Sequence, residues 1–581
     1  MTVHNSEIAG IFDKTADLLE IKGENVFRVM AYRNAGRTIL GLAKNAADMV
    51  GRGEDLTELP GIGKDLAAKI EEIVKTGRLS FLEKLAKQMP EGLSSLLKIQ
   101  GLGARRVKTL YEKLKIKSID ELKRAAEKSK IRNLPGFGEK IEGNILREIG
   151  RVKNSEGNFR VSDAEEIGLP LLEYIRKIEG VKKAIIAGSF RRAKETVRDL
   201  DILAACEDSS KAMDSFIKYE DVDKVLSHGK TRSAVILRPS GLQVDLRVVP
   251  EESYGAALCY FTGSKAHNIV LRKIAIEKGL KLNEYGVFQA AGRRGGKEKW
   301  IAGRAEEDVY KQLGLLYIEP ELREDRGEIE ASLKGRLPRL VTLEDIRGDL
   351  HVHTDLTDGQ HTLEEMVDAA KECGYKYVGI TEHSKRVTIA HGLDAKAMFR
   401  RIKEIDRLNK KLKGVVVLKS IEVDILEDGS LDMEDEALKE LDVTVCAIHS
   451  KFNLSLKKQT ERVSRAMDNP YFNILAHPTG RLIHERDPYE VDMEAVMKAA
   501  KERGCIMELN AHPYRLDLND AHCKLAKETG VKVVISTDAH SIADLGYMRF
   551  GIFQARRGWI EPEDAINTRS VEGLKKIVKR K

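Results

Sequence analysis

The stretch "GDLHVHTDLTDG" (residues 348–359) places His351 and His353 two positions apart, with Asp358 five residues further on. Alternate residues of a strand face the same side, so the two imidazoles can grip one cation together. Similar donors recur downstream at the ends of apolar runs. His383 follows "YVGITE", Glu422 follows "VVVLKSI", His449 follows "VTVCAI", His477 follows "NILA", and Asp538 and His540 follow "VVIST". Imidazoles mixed with carboxylates suit zinc, manganese or iron. A lone HxH is an ordinary strand feature, but six strand ends that all carry ligand-type residues call for a shared metal site.

A second constellation has only oxygen donors. In "AIIAGSFRRAKETVRDLDILAA" (residues 184–205) an apolar strand enters a Gly188-Ser189 turn, and Asp199 and Asp201 follow on a second apolar run. Asp245 lies in "LQVDLRVV", another alternating strand. Asp199 and Asp201 share a face, roughly 6–7 Å apart along the strand. Three carboxylates on adjoining strands can hold two magnesium ions about 4 Å apart for in-line phosphoryl transfer. The Gly188-Ser189 turn and Arg192 would offer N–H, hydroxyl and guanidinium donors to a triphosphate.

These residues need elements to position them. From residue 341 onward, seven apolar runs ("DLHVH", "YVGIT", "VVVLKSIEV", "VTVCAI", "NILA", "CIMELN", "VKVVIST") alternate with amphipathic stretches such as "TLEEMVDAAKECG". Such alternation predicts a parallel sheet closed as a (β/α)7 barrel, with the site at the carboxyl ends of its strands. Near the other end of the chain, "LPGIGKDLAAKI", "IQGLGARRVKTL" and "LPGFGEKIEGNI" repeat one pattern, with Gly61/Gly63, Gly101/Gly103 and Gly136/Gly138 in its turn. The glycines permit a tight turn between helices, and the next helix presents unpaired N–H groups suited to a phosphate. This is the helix-hairpin-helix pattern, which grips the DNA backbone without reading bases.

Charge agrees with that placement. Residues 1–150 carry 27 Lys+Arg against 21 Asp+Glu, so +6 of the net +7 lies in the first quarter of the 581 residues. Six scattered cysteines, without a CxxC pair, fit reduced thiols. No run of 18 apolar residues and no signal-like N-terminus is present, which points away from a membrane and towards the cytoplasm, with nucleoid association through DNA.

"GSFRR…RDLDIL", "VDLR", "YFTGSKAHNIVLR" and "LNEYGVF" together resemble the X-family DNA polymerases over about residues 1–317. The resemblance implies that Asp199, Asp201 and Asp245 are metal ligands. It makes Gly188, Ser189 and Arg192 triphosphate contacts, and puts Tyr260, Phe261 and Gly263 beside the incoming sugar. Asn268 and Arg272 would read the minor-groove edge of the new pair. Val197 and Gln243 depart from residues usual in the family. Lys69 matches the lysine that forms a Schiff base in lyase-active members, with Tyr32 and Arg28 at supporting positions. Asp65 and Phe81 stand where lysines are usual, so Lys69 is either that nucleophile or a plain phosphate contact.

Residues 341–575 resemble a PHP domain. This implies that His351, His353, Glu422 and Asp538 surround one ion, and that Glu422 bridges to a second held by His383 and His449. Asp358, His477 and His540 complete a cluster of up to three Mn2+, Zn2+ or Fe ions. The combination is similar to the prokaryotic PolX enzymes. The expected layout is a multidomain chain. An all-α helix-hairpin-helix region comprises a lyase-type domain (1–85) and a fingers-type domain (86–152). An α+β palm (153–256) and thumb (257–317), a linker (318–340) and the PHP barrel (341–581) follow. The implied activities are filling of short gaps by a Mg2+-dependent polymerase and 3′–5′ exonuclease action, with AP-endonuclease or 3′-phosphatase as further options. The implied partners are gapped or primed duplex DNA and deoxynucleoside triphosphates, bound by a monomer. A small-molecule phosphoesterase in the barrel, or an inactive DNA-binding scaffold, are the alternatives.

Overall fold

Apolar residues three and four apart make helices bury one stripe. In α1 (Asn5–Lys22) that stripe is Ile8, Phe12, Ala16 and Leu19, and in α2 (Val26–Leu40) it is Val29, Tyr32, Ala35 and Ile39. They join one core with Ile70 and Ile73 of α3 (Lys64–Thr76) and Val107 and Leu110 of α4 (Ala104–Leu114). The computed structural model describes residues 3, 5–40, 42, 46–88, 93, 96, 102–138, 141–143, 145–146, 158–289 and 298–579. Residues 1–158 form one unit, helical throughout among the described residues, and residues 159–581 form a second.

The second unit begins with a five-stranded sheet. Its strands are β1 (Val181–Ile186), β2 (Asp199–Cys206), β3 (Val222–His228), β4 (Arg232–Leu237) and β5 (Gln243–Val249), in spatial order β1-β2-β5-β4-β3. β2 and β5 run parallel and put Asp201 directly opposite Asp245, with Asp199 opposite Gln243. Next come α5 (Tyr254–Thr262), α6 (Lys265–Glu277), a small antiparallel sheet and α7 (Glu306–Gln312).

The charged stretch 318–340, expected as a linker, connects but is packed. Ile318, Leu322, Leu340 and Ile329 of α8 (Glu328–Leu333) join the core around α7. Arg323 is wholly buried there because Glu306 accepts its Nη1 at 2.6 Å and the Ile318 carbonyl accepts its Nε at 2.8 Å. Complementary charge in the fold gives this connector its partners.

The barrel is built from β6 (Gly348–Val352), β7 (Tyr377–Ile380), β8 (Val416–Asp424), β9 (Val443–Ala447), β10 (Ile474–Leu475), β11 (Ile506–Asn510) and β12 (Val533–Ser536). All seven are parallel and in sequence order. Beyond β12 the chain returns to β6: His353 N donates to the Ala539 carbonyl at 2.8 Å, bringing the two edges together. A further helix, α9 (Met548–Arg557), packs against β12. Among the described residues no helix is long and apolar enough to cross a membrane, and no disulfide joins any of the six cysteines.

Candidate active sites

The carboxyl ends of the barrel strands bring all nine sequence-predicted donors into one cluster. Glu422, at the end of β8, is its centre. Its Oε2 lies 2.9 Å from His383 Nδ1, 3.5 Å from His351 Nε2 and 3.6 Å from His353 Nε2. Its Oε1 lies 3.1 Å from His477 Nε2 and 3.3 Å from His449 Nε2. Asp538 Oδ1 stands 3.2 Å from His353 Nε2 and 3.4 Å from His351 Nε2. Asp358 Oδ2 stands 3.2 Å from His383 Nε2 and 3.4 Å from His540 Nε2.

Three groups are compact enough to hold an ion each: His351/His353/Asp538, His383/Glu422/His449 and His353/Asp358/His383/His540. The donors fit such a role on a second count. His351 Nε2, both ring nitrogens of His353, His383 Nδ1 and Glu422 Oε2 are buried and, among the described residues, have no partner in hydrogen-bond geometry. Buried polar atoms of this kind are costly unless a ligand satisfies them.

The field inside the cluster is strong. Burial pushes the His383 and His449 imidazoliums down, but the Glu422 carboxylate beside each more than reverses this, leaving them at about 10 and about 9. His353, buried among other imidazoles, falls to about 3. Without metal, protons supply the positive charge that this much carboxylate demands, so ion loading displaces protons. Two donors sit on left-handed backbone, His477 at φ +28° and Asp538 at φ +55°. Such conformations cost ~1–3 kcal/mol and concentrate at functional sites.

Sequence reading missed the groups that aim these rings. Glu508 on β11 accepts from His351 Nδ1 at 2.7 Å and from the His477 backbone N–H at 2.7 Å. Asp424, two residues past Glu422, bonds His449 Nδ1 at 2.8 Å. Each fixes a tautomer and leaves Nε2 towards the cluster. For Glu508 the available signal was an acid in a buried strand, "CIMELN", that is otherwise apolar up to its terminal Asn510. Glu508→Gln is expected to weaken metal retention about 10–100-fold while leaving every direct donor in place, measured as metal content after dialysis against a graded chelator.

The second site lies on the five-stranded sheet. Burial, then Asp199 and Asp245, raise Asp201 to about 7, and burial followed by Asp245 also raises Asp199. Carboxylates that repel one another in this way form a site short of positive charge. Gly188 has φ +62°, and a Cβ there would stand 2.4 Å from Asp201 Oδ2, so only glycine lets the turn approach the carboxylates. Gln243 Nε2 donates to Asp245 Oδ2 at 3.1 Å, and Arg232, overlooked in the sequence, reaches Asp245 Oδ1 at 3.4 Å. A cavity of about 170 Å3 is lined by Asp201, Asp245, Arg232, Arg247 and Phe261 among others.

The chain is similar to a known protein along its whole length. Over 579 residues the chain is 37% identical to the DNA polymerase/3′-5′ exonuclease PolX of Bacillus subtilis, spanning 100% of both chains. It belongs to the PolX family. Family models match as a helix-hairpin-helix domain (3–79), a SAM-like helix-hairpin-helix tandem (93–151), a DNA polymerase beta thumb (257–324) and a PHP domain (349–512). Probable phosphatases of a Thermoanaerobacter species and of Acetivibrio thermocellus are each 30% identical over 40% of this chain, covering 94% and 95% of their own lengths.

In this PolX, Tyr260 and Phe261 meet edge to face with ring centroids 5.2 Å apart, and Gly263 ends α5 at φ +68°. Asn268 Nδ2 donates to the Tyr260 carbonyl at 2.7 Å, and Arg272 Nε to the Asn268 carbonyl at 3.3 Å. Arg192 lies at the end of the Gly188 turn beside Gly263, whose added Cβ would stand 3.3 Å from its Nη1. In the first unit, Gly63 and Gly103 cap α3 and α4 without a side-chain partner, and Gly61 and Gly136 take φ +76° and +79°. Among the described residues no atom lies within 4 Å of a Cβ added at Gly61, Gly63, Gly103, Gly136 or Gly138; Gly101 lies outside the described residues. Lys69 donates to Asp65 and lies 5.8 Å and 5.7 Å from the Tyr32 and Phe81 ring centroids.

Proposed function

We propose that this PolX fills short gaps in DNA as a template-directed polymerase and degrades 3′ ends at its PHP cluster. The observation that carries this reading is the presence of two chemically distinct sites in one chain. One is an all-carboxylate site opposite a glycine turn. The other is a nine-donor imidazole and carboxylate site at the barrel mouth. The B. subtilis relative's name couples the same two activities.

At the first site, Asp199, Asp201 and Asp245 would hold two Mg2+ ions, which when bound supply Lewis acidity to the attacking 3′-hydroxyl and the leaving pyrophosphate. The Gly188-Ser189 turn and Arg192 hold the triphosphate, and Asp245 draws the 3′-hydroxyl proton. Tyr260, Phe261 and Gly263 crowd the sugar position, while Asn268 and Arg272 face the new pair's minor groove. Gly61, Gly63, Gly101, Gly103, Gly136 and Gly138 belong to the turns that hold the backbone of gapped or primed duplex. At the second site, the nine donors would hold up to three Mn2+, Zn2+ or Fe ions, which supply an activated water for phosphodiester hydrolysis. A monomer acting in the cytoplasm is the simplest setting for both.

One gapped duplex with a 5′-phosphate, supplied with dNTPs, tests the whole reading. Asp245→Ala should lose synthesis alone and His351→Ala hydrolysis alone; loss of both activities in either variant overturns the two-site assignment. The matching probable phosphatases favour one second reading, a 3′-phosphatase or small-molecule phosphoesterase at the barrel. Release of phosphate from a 3′-phosphorylated primer or histidinol phosphate, without nucleotide release from a 3′-hydroxyl primer, would select it. For Lys69, borohydride trapping on a 5′-deoxyribose phosphate end decides between roles. A trapped adduct in the parent, absent from Lys69→Ala, marks the Schiff-base nucleophile. Without an adduct, Lys69 is a phosphate contact, and Lys69→Ala then weakens binding to a 5′-phosphate end by about threefold to tenfold.

A further inference from the structure

The turn that carries Ser189 and Arg192 does not stand free, because the PHP barrel backs it. Phe190, inside the turn, packs with Val161 against Ile483, Leu516 and Phe550 of the barrel side. Gln554 Nε2 donates to the Ala193 carbonyl at 3.5 Å, and Arg481 Nη2 donates to Glu195 at 2.6 Å. Arg557, the last residue of α9, donates through Nη1 to the Arg192 carbonyl at 2.6 Å. The contacts therefore span residues 190–195.

Side chains continue the connection. Arg192 Nε donates to Glu324 Oε1 at 3.0 Å, and its Nη1 donates to the Thr262 carbonyl. Glu324 also accepts from Arg557 Nη1 at 3.1 Å, and Lys194 Nζ stands 3.9 Å away. Arg557 is held from behind by Asp520, whose Oδ2 accepts its Nη2 at 2.7 Å and also accepts from Arg326 at 2.8 Å. Opposite charges thus alternate through Arg326, Asp520, Arg557, Glu324 and Arg192, and the Arg557 side chain is only 4% exposed. With Nε and Nη1 occupied, Nη2 is the guanidinium nitrogen not committed to the protein among the described residues. Arg557 ends α9 and is not among the nine metal-type donors, so hydrolysis gives no reason for its burial.

We propose that Glu324 and Arg557 are positioning residues for nucleotide addition, through which the PHP domain holds Arg192 in register with the triphosphate of an incoming dNTP. The proposal rests on the reading of Arg192 as a triphosphate contact. A planar guanidinium gripped along its Nε edge has one orientation, so less ordering remains when phosphate binds. Glu324 has Arg557 and Lys194 as further partners, so its buried carboxylate stays neutralised while it holds Arg192 Nε and leaves Nη2 to the phosphate.

The test uses full-length protein on a single-nucleotide gap, varying dNTP and DNA separately, alongside hydrolysis of a single-stranded 3′ end. Glu324→Gln and Arg557→Ala are expected to raise KM for dNTP about tenfold, leaving KM for DNA and the hydrolysis rate within about twofold. Arg557→Lys, which keeps the charge but not the fork, should recover part of that loss. Arg192→Ala is run in parallel. If it leaves KM for dNTP unchanged, the triphosphate reading fails and the proposal with it. If it raises KM for dNTP while Glu324→Gln and Arg557→Lys match the parent, positioning by the barrel is wrong and the triphosphate reading stands. An equal fall in synthesis, hydrolysis and melting temperature also overturns it, because that pattern marks a purely structural pair. Should Arg557→Ala not fold, Glu324→Gln and Arg557→Lys decide the outcome.

Discussion

Replacing Asp201 by alanine or asparagine is expected to lower nucleotide addition at a gap by about 10^3-fold or more, equivalent to ~4 kcal/mol of lost transition-state stabilisation. Hydrolysis of a single-stranded 3′ end should stay near the parent's rate, since Asp201 belongs to the five-stranded sheet and the donor cluster to the barrel. Asp201 faces Asp245 across β2 and β5, and its carboxyl is raised to about 7 by burial and by its two neighbours. Ionising it therefore costs folding free energy. The cost is absent below the unfolded carboxylate's pKa near 4, grows with pH, and is complete above about 7.

Asp201→Asn should accordingly melt at a higher temperature than the parent in metal-free buffer. The gain should widen between about pH 4 and 7 towards an order of 2–4 kcal/mol. Saturating Mg2+, which binds only the folded parent, should narrow it. A melting series across pH, with and without Mg2+, and steady-state extension of a gapped primer measure both effects. A variant that is more stable and cannot polymerise would show that the carboxylates are packed for a cation rather than for the fold. Extension near the parent's rate would remove Asp201 from the polymerase site.

The second large effect is expected at Glu422. Five imidazoles lie within 3.6 Å of its two oxygens, three on Oε2 and two on Oε1, as a carboxylate shared between ions would require. Glu422→Gln keeps the shape and removes the charge. Exonuclease activity should fall by about 10^3-fold, and at least one equivalent of metal should be lost on dialysis. Gap filling should persist.

Stability should move in the opposite direction to that of Asp201→Asn. The imidazoliums beside Glu422 hold its carboxyl well below the usual range despite complete burial, so deleting it strands buried cations at a cost of about 3–5 kcal/mol in metal-free protein. Because its folded pKa is depressed, that stabilisation is present above the unfolded value near 4 and is lost as pH falls further. Metal analysis, 3′-end hydrolysis and melting temperature together check the prediction. Hydrolysis at the parent's rate in a metal-depleted variant would mean the cluster is not the nuclease.

Much of this was legible in the residue order. Strand-end histidines and acids can be found by reading where apolar runs stop, because a parallel barrel collects its strand ends on one rim. The DxD pair and the glycine hairpins are equally local, because their chemistry depends on neighbours two to three positions away. What only the tertiary structure decided concerns partners far apart along the chain. Asp201 meets Asp245 through strand register, and Glu508 aims His351 across 157 positions. Burial of Arg323 depends on Glu306, and the connector 318–340 packs into the core because the fold supplies complementary groups. Arg557 reaches the Arg192 turn across 365 positions, a contact with no local signal in either stretch. Residue types and short spacings determine which chemistry is possible. Which buried charges are paired, and which ring nitrogen is left to bind, follows from packing, since a charge in the interior is tolerable only where the fold brings its counterpart.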